Sequence, residues 1–190
     1  MKIGLYFGSF NPIHIGHLVV ADTMLQDTDL DRVWFVVSPL SPFKEQEGML
    51  HHFDRMELVQ LAIEGNGGLA VSDIEFGMPQ PSYTVDTLDV LRAKFPQHEF
   101  VLIMGEDNLT HLHKWKNAEH LIETYHIYCY PRPNTKAGPL SAHPNIRLVS
   151  APLLDISATY IRKRLEQGKP VTYLVPENVA TFIRLKKFYR

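Results

Sequence analysis

The sequence predicts an α/β fold, a doubly wound, Rossmann-like parallel sheet with helices on both faces. Three observations point there. Strand-like and helix-like runs alternate along nearly the whole chain. Two strand-like runs, 32–37 and 99–104, are almost continuously apolar, as strands buried on both faces are. The first strand-like run passes through a Gly- and Pro-broken turn straight into a helix, the local arrangement of a ligand site at the carboxyl edge of a parallel sheet.

Each element has its own signal. Residues 2–7 are short, apolar and rich in strand formers, and 18–25 read as a helix with one apolar face. After the strand at 32–37, Pro39 and Pro42 stiffen a loop that leaves Lys44 near its tip. A helix over 53–63 stops at Asn66-Gly67-Gly68. Residues 69–76 alternate as a strand, and Met78-Pro79-Gln80-Pro81 is a loop. A helix capped by Ser82 or Thr84 runs to about Phe95. The buried strand 99–104 ends at Gly105-Glu106-Asp107, and helical character resumes over 117–124. Residues 126–130 form another strand, 134–145 a polar, proline-rich loop, and 146–149 the last strand. A helix over 157–167 takes Ser157 as N-cap and Gly168 just past its end, and Pro176 begins a final helix reaching Lys187. No internal repeat or interdomain linker interrupts the pattern, so residues 1–190 read as a single domain.

Composition narrows the function classes. A net charge of −2 argues against nonspecific nucleic-acid binding, and no apolar run is long enough to span a bilayer. Gly4, Gly8 and Asn11 interrupt the N-terminus before a signal-peptide core develops. The one cysteine, Cys129, lies in a strand-like run and reads as a buried, inert thiol, so the expected compartment is the cytoplasm.

The chemistry concentrates in Gly8-Ser9-Phe10-Asn11-Pro12-Ile13-His14-Ile15-Gly16-His17. Gly8 allows close backbone approach to a ligand, and Gly16 opens the helix without a side chain in the way. The N–H groups of that helix start attract phosphate, and His14 and His17, three apart, can both face one anion. No Ser, Cys or Lys stands beside a base as an activated nucleophile. The tract suits holding a pentavalent phosphorus transition state rather than forming a covalent intermediate. A second tract, Ile156-Ser157-Ala158-Thr159-Tyr160-Ile161-Arg162, puts two hydroxyls and a guanidinium on the first turns of a helix, where they can hold phosphate. His111 and His113, two apart, are surface residues rather than a metal pair. His51-His52 is a loop or helix-entry pair, and the basic tail of Arg184, Lys186, Lys187 and Arg190 is the usual cationic helix end.

The first tract resembles the G-x-F-x-P-x-H-x-G-H signature of the HxGH nucleotidyltransferases, and the second their I-S-x-T-x-I-R signature. Further stretches are similar to those of nicotinate-nucleotide adenylyltransferases: the proline-rich loop to Lys44, Asp54-Arg55-Met56, Ser82 to Leu88, Gly105-Glu106-Asp107-Asn108 with Trp115-Lys116, and Tyr173-Leu174-Val175-Pro176. The chain departs from the pattern at Phe7, where glycine is usual, at Asn11, where aspartate is usual, and at Ala158, a frequent serine. The resemblance implies adenylyl transfer from ATP to nicotinate mononucleotide, giving nicotinate adenine dinucleotide and pyrophosphate. It implies His14, His17, Lys44 and Arg162 as catalytic residues. Gly8, Ser9, Phe10, Gly105, Asp107, Ser157 and Thr159 join His14, His17 and Arg162 around ATP. Ser9, Lys44, Thr84 and Trp115 contact the acceptor. Mg²⁺ travels on the ATP phosphates with no ligand from the protein. Partners are these small molecules, with neither nucleic acid nor membrane; the sequence leaves a homo-oligomer open.

Rival readings are sister enzymes using nicotinamide mononucleotide or pantetheine phosphate, and a noncatalytic nucleotide sensor on the same fold. Pantetheine-using relatives carry Thr at the position of His14, and intact His14, His17 and Arg162 argue against a sensor. His14-Ile15-Gly16-His17 also spells a class I aminoacyl-tRNA synthetase signature, but the chain lacks the lysine-rich second signature and a basic face.

Overall fold

In the computed structural model, residues 1–40, 48–132, 135, 138–152 and 154–190 are described. Six strands, β1 Lys2–Gly8, β2 Arg32–Val37, β3 Leu69–Ser72, β4 Glu99–Gly105, β5 His126–Tyr130 and β6 Ile146–Leu148, form one sheet in the order β3-β2-β1-β4-β5-β6. Every neighbouring pair is parallel. The chain builds outward from β1 to β3, then returns to lay β4 on the other flank of β1. The topological switch therefore lies between β1 and β4, where a crevice opens beyond the carboxyl ends of the strands.

The helices are α1 Ile15–Gln26, α2 His52–Ala62, α3 Thr84–Lys94, α4 Glu106–His111, α5 Ala118–Thr124, α6 Ala158–Glu166 and α7 Glu177–Lys186. Strand periodicity of two divides them between the faces. Tyr6, Val33, Phe35, Val37, Val101 and Ile103 pack with Met24 of α1, Leu58 of α2, Ile161 of α6 and Ile183 of α7. The alternate residues Ile3, Leu5, Val36, Leu102 and Met104 pack with Leu88 of α3, Leu109 of α4 and Leu121 of α5. Both sides of β1, β2 and β4 are thus buried, which explains their unbroken apolar runs. Cys129 is buried as expected, and burial pushes its thiol up to about 12.

Three local expectations are corrected. The third strand stops at Ser72, and Ile74–Gly77 is a 3₁₀ turn rather than its continuation. Among the described residues β3 is an edge strand paired with β2 alone, and β2 ends at Val37, so residues past Ser72 have no ladder to join. Ile74 and Phe76 still alternate because they pack against opposite cores. The cap position of α3 is Tyr83, not Ser82 or Thr84, and its side chain makes no capping hydrogen bond. Within 134–145, Pro139–Ala142 forms a 3₁₀ turn. Ser157 does cap α6, its hydroxyl accepting from the Tyr160 N–H at 3.2 Å, and Gly168 takes φ 66° just past the helix end.

Candidate active site

Beyond Gly8 the chain folds back sharply. Phe10 adopts φ 44°, a left-handed conformation that costs a bulky residue about 1–3 kcal/mol, and its ring is fully buried beneath the turn. A Cβ on Gly8 would stand 2.7 Å from that ring, so the glycine makes room for Phe10. The Phe10 side chain is accordingly a support: the His17 imidazole meets its ring edge-on at 5.1 Å, and the His14 ring stacks on His17 at 3.7 Å. A Cβ on Gly16 would come within 3.1 Å of the His14 ring, which explains the glycine between the two histidines.

Several of the helix-start N–H groups expected to attract phosphate already donate within the protein. The Ile15 N–H donates to the Leu174 carbonyl at 2.9 Å, and those of His17 and Leu18 to the His14 carbonyl. The His14 N–H donates to His17 Nδ1 at 3.3 Å, so the neutral His17 ring keeps its hydrogen on Nε2 as a donor. His14 is 5% exposed, its Nδ1 is buried with no hydrogen-bond partner among the described residues, and its pKa is lowered to about 4. Burial is the larger cause; the positive charge of Arg132 adds to it.

His14, Gly16 and His17 line one side of a narrow crevice opposite Tyr6, Tyr130 and Arg132, with Leu154 and Ile156 at its edge. Arg132 was not anticipated; the signal was an arginine two residues beyond Tyr130, at the carboxyl end of β5. Its guanidinium lies over the Tyr130 ring at 5.0 Å, donates to the Tyr130 hydroxyl at 3.1 Å and stands 3.6 Å from Asp107. A Cβ on Gly105 would sit 2.3 Å from the Asp107 carboxylate, so glycine is required for Asp107 and Arg132 to approach this strand end. The second tract meets the first directly. Arg162 donates to the Asn11 carbonyl at 2.8 Å and to the Thr159 hydroxyl at 3.4 Å. Ser157 and Thr159 are exposed on the rim.

Two further buried groups, absent from the expected set, hold the turn. Arg55, 1% exposed, donates to the carbonyls of Ser9, Ser38, Pro39 and Leu50 and so ties the loop after β1 to the loop after β2. Burial lowers its pKa to about 10, which leaves it charged at neutral pH. Asn11 donates to the Gly48 carbonyl at 3.1 Å and accepts from the Leu50 N–H at 3.2 Å and the Tyr189 hydroxyl at 2.7 Å. A carboxylate there could accept but not donate, so the asparagine fits this pair of opposite demands.

A second cleft opens on the other side of β1, where Phe7 points instead of Tyr6. It encloses 220 Å³ and is lined by Gly8, Ser9, Thr84, Trp115, Glu75 and Ser82, among others. That volume admits one aromatic ring rather than a whole nucleotide. Trp115 packs its base against the core, and Lys116, already paired with Asp86 at 2.7 Å, lies over Tyr83 at the rim. Glu75, 2% exposed, accepts from the Thr87 hydroxyl through one oxygen at 2.8 Å. Its other oxygen and the Ser82 hydroxyl are buried with no hydrogen-bond partner among the described residues.

The expected residues thus gather around the end of β1: His14, His17, Gly105, Asp107 and Arg162 on the cationic side, Ser9, Thr84 and Trp115 on the aromatic side. Lys44 lies outside the described residues. His111 closes α4 and His113 falls in a following 3₁₀ turn, both exposed. Among the described residues no group of three His, Cys, Asp or Glu is placed to hold a metal ion, and no helix is long and apolar enough to cross a membrane.

Residues 5–164 match the cytidylyltransferase-like family model. The chain is 54% identical to a probable nicotinate-nucleotide adenylyltransferase of Cytophaga hutchinsonii, over 100% of this chain and 98% of that one. It is 49% identical to its counterpart in Flavobacterium psychrophilum over the full length of both. Among solved structures it superposes on Plasmodium falciparum nicotinic acid mononucleotide adenylyltransferase complexed with NaAD with a TM-score of 0.84. The match covers 99% of this chain and 97% of that one, and at 20% identity it speaks for the fold alone.

Proposed function

This chain belongs to the nicotinate-nucleotide adenylyltransferases of the cytidylyltransferase-like family, and from that premise we infer that it transfers the adenylyl group of ATP to nicotinate mononucleotide in NAD biosynthesis. A 5′-phosphate oxygen of the acceptor attacks the α-phosphorus of ATP. The new P–O bond joins the two nucleotides as nicotinate adenine dinucleotide, and the bond to the bridging oxygen of the β-phosphate breaks to release pyrophosphate. The acceptor phosphate is already ionised, so no general base is needed. The protein aligns the two phosphates in line and stabilises charge.

One observation carries this reading. The turn 8–17 contributes to two clefts at once, a cationic crevice at His14 and His17 and an aromatic cleft at Gly8 and Ser9. Adenylyl transfer needs that division, with ATP phosphates on one side, a pyridine ring on the other and the acceptor phosphate between. The His17 Nε2–H is suited to the α-phosphate, with Lys44 adding charge. Arg162, Ser157 and Thr159 suit the β- and γ-phosphates, and Gly105 and Asp107 the adenosine ribose. Stacking on Trp115 and the N–H groups around Thr84 suit a nicotinate ring. Magnesium fits this scheme as a companion of the nucleotide, held by phosphate oxygens and water, since the crevice offers cationic and hydroxyl groups rather than a carboxylate cage. We take residues 1–190 as one nucleotidyltransferase domain working in the cytoplasm.

The test is ATP-dependent pyrophosphate release with a panel of acceptors. Release with nicotinate mononucleotide, well above nicotinamide mononucleotide and pantetheine phosphate, is expected. Release with another acceptor alone would reassign the substrate, and no release with any would favour a nucleotide sensor.

A further inference from the structure

The segment after α7 turns back on itself, with Lys187 at φ 56° and Tyr189 at φ 60°, and delivers the Tyr189 hydroxyl to Asn11. Nothing in the reaction calls for a tyrosine there. Its position does connect everything that does take part. Asn11 follows Phe10 in the phosphate-binding turn and is 5% exposed. Its carbonyl receives Arg162, and its carboxamide receives Tyr189 at 2.7 Å and Leu50 at 3.2 Å while donating to Gly48 at 3.1 Å. Gly48 and Leu50 stand on the C-terminal flank of the loop that bears Lys44. Arg55 bonds Leu50 and Ser9 at the same place. Burial raises the Tyr189 hydroxyl above its ordinary pKa, and the charges of Arg162 and Arg55 oppose that shift from close by. The hydroxyl therefore sits where the first signature, the second signature and the flank of the lysine loop converge.

We propose that Tyr189 is a positioning residue for adenylyl transfer: through the Asn11 carboxamide, its hydroxyl holds the phosphate-binding turn, Arg162 and the flank of the lysine loop in one fixed relation. The proposal rests on the adenylyl-transfer reading. Tyr189 touches no reacting atom; it acts by denying Asn11 a second orientation. With the hydroxyl gone, the Asn11 carboxamide loses the shortest of its bonds and keeps, among the described residues, those to the Leu50 N–H and the Gly48 carbonyl. Asn11 is then held less firmly, and with it the backbone carbonyl on which Arg162 rests. The consequence falls on ATP phosphates and on the rate of transfer, not on the pyridine cleft across β1.

The experiment is a double-mutant cycle of Tyr189→Phe and Asn11→Ala in the full-length protein, assayed by pyrophosphate release well below every variant's melting temperature. Tyr189→Phe is expected to lower kcat/KM for ATP by about fivefold, the effect of one net hydrogen bond, with KM for nicotinate mononucleotide within twofold of wild type. The double variant should be no worse than Asn11→Ala alone, because Tyr189 works through Asn11. Wild-type kinetics in Tyr189→Phe would overturn the proposal, and so would effects that multiply in the double variant. Loss of a cooperative melt, or equal loss for both substrates, would make Tyr189 a residue of general stability and equally overturn it. Failure of the wild-type protein to release pyrophosphate would strike the underlying reading instead, so the two failures are distinguishable.

Discussion

The two clefts that share the end of β1 are built in opposite ways. On the phosphate side, side chains reach across the chain to fix one another and the backbone: Arg162 on the Asn11 carbonyl, Arg55 on four carbonyls, Tyr189 on the Asn11 carboxamide, with Arg132 held locally on Tyr130. Its charges are oriented before any nucleotide arrives. On the acceptor side, one helix start and one tryptophan shape a cavity, and one carboxylate oxygen of Glu75 and the Ser82 hydroxyl, both residues of its lining, are buried with no hydrogen-bond partner among the described residues. Preorganised charge acts on a transition state, whereas a shaped cavity acts on a ground state. Substitutions on the phosphate side should therefore appear in kcat and in ATP terms, and those on the acceptor side in acceptor KM and selectivity.

The hardest strain on this division comes from His17. Replacing it with alanine removes the donor aimed at the reacting phosphate and should cut kcat about a hundredfold to a thousandfold, with ATP affinity changed far less. Retention of wild-type kcat in the purified variant would remove His17 from the chemistry.

His14 offers a comparison in stability rather than rate. It titrates at about 4 in the fold against 6.5 in the open chain, so between those values the unfolded state binds the proton and the folded state does not. Its contribution is intact above pH 6.5, falls as pH drops toward 4 and is constant below that, a loss of up to about 3 kcal/mol. Denaturant titrations of the wild type and His14→Gln across this range should give a shallower slope for the variant. Parallel slopes would show that His14 does not sense burial in this way.

Arg162→Ala should raise KM for ATP about tenfold, the scale of a charge-assisted hydrogen bond, and leave mononucleotide binding nearly unchanged. Equal loss of both affinities in a calorimetric titration would erase the boundary between the clefts. On the acceptor side, nicotinate mononucleotide should exceed its nicotinamide analogue in kcat/KM by about tenfold, since backbone N–H donors satisfy both acid oxygens and leave a mismatch with the amide. Trp115→Ala should weaken both acceptors about fivefold through lost stacking and keep most of their ratio. A collapsed ratio would make Trp115 the source of selectivity.

The difference between the clefts also governs what could be read from the sequence. The alternation of strands and helices was legible because each run carries its own periodicity, and His14, His17, Ser157 and Arg162 were legible because they sit in compact local tracts. Ile74 and Phe76 misled because apolar alternation records burial, while a strand also needs a neighbour, and β2 ends at Val37. The sequence placed Phe10 and Gly8 beside a ligand, and it did not show that the Phe10 ring fills the space left by the missing Gly8 side chain. Arg132 and Tyr189 carried no motif, and Arg55 lay in a family-like stretch that gave no sign of its role. Their partners are carbonyls and hydroxyls contributed by tertiary structure, which no spacing along the chain encodes.

The central claim is that the phosphate side aligns and stabilises a single displacement with no covalent intermediate. The most direct measurement is the stereochemical course at the α-phosphorus, using ATP made chiral there by sulfur substitution and configurational analysis of the dinucleotide formed with nicotinate mononucleotide. One in-line attack predicts inversion. Net retention, the signature of two successive displacements through an adenylylated side chain, would contradict the account.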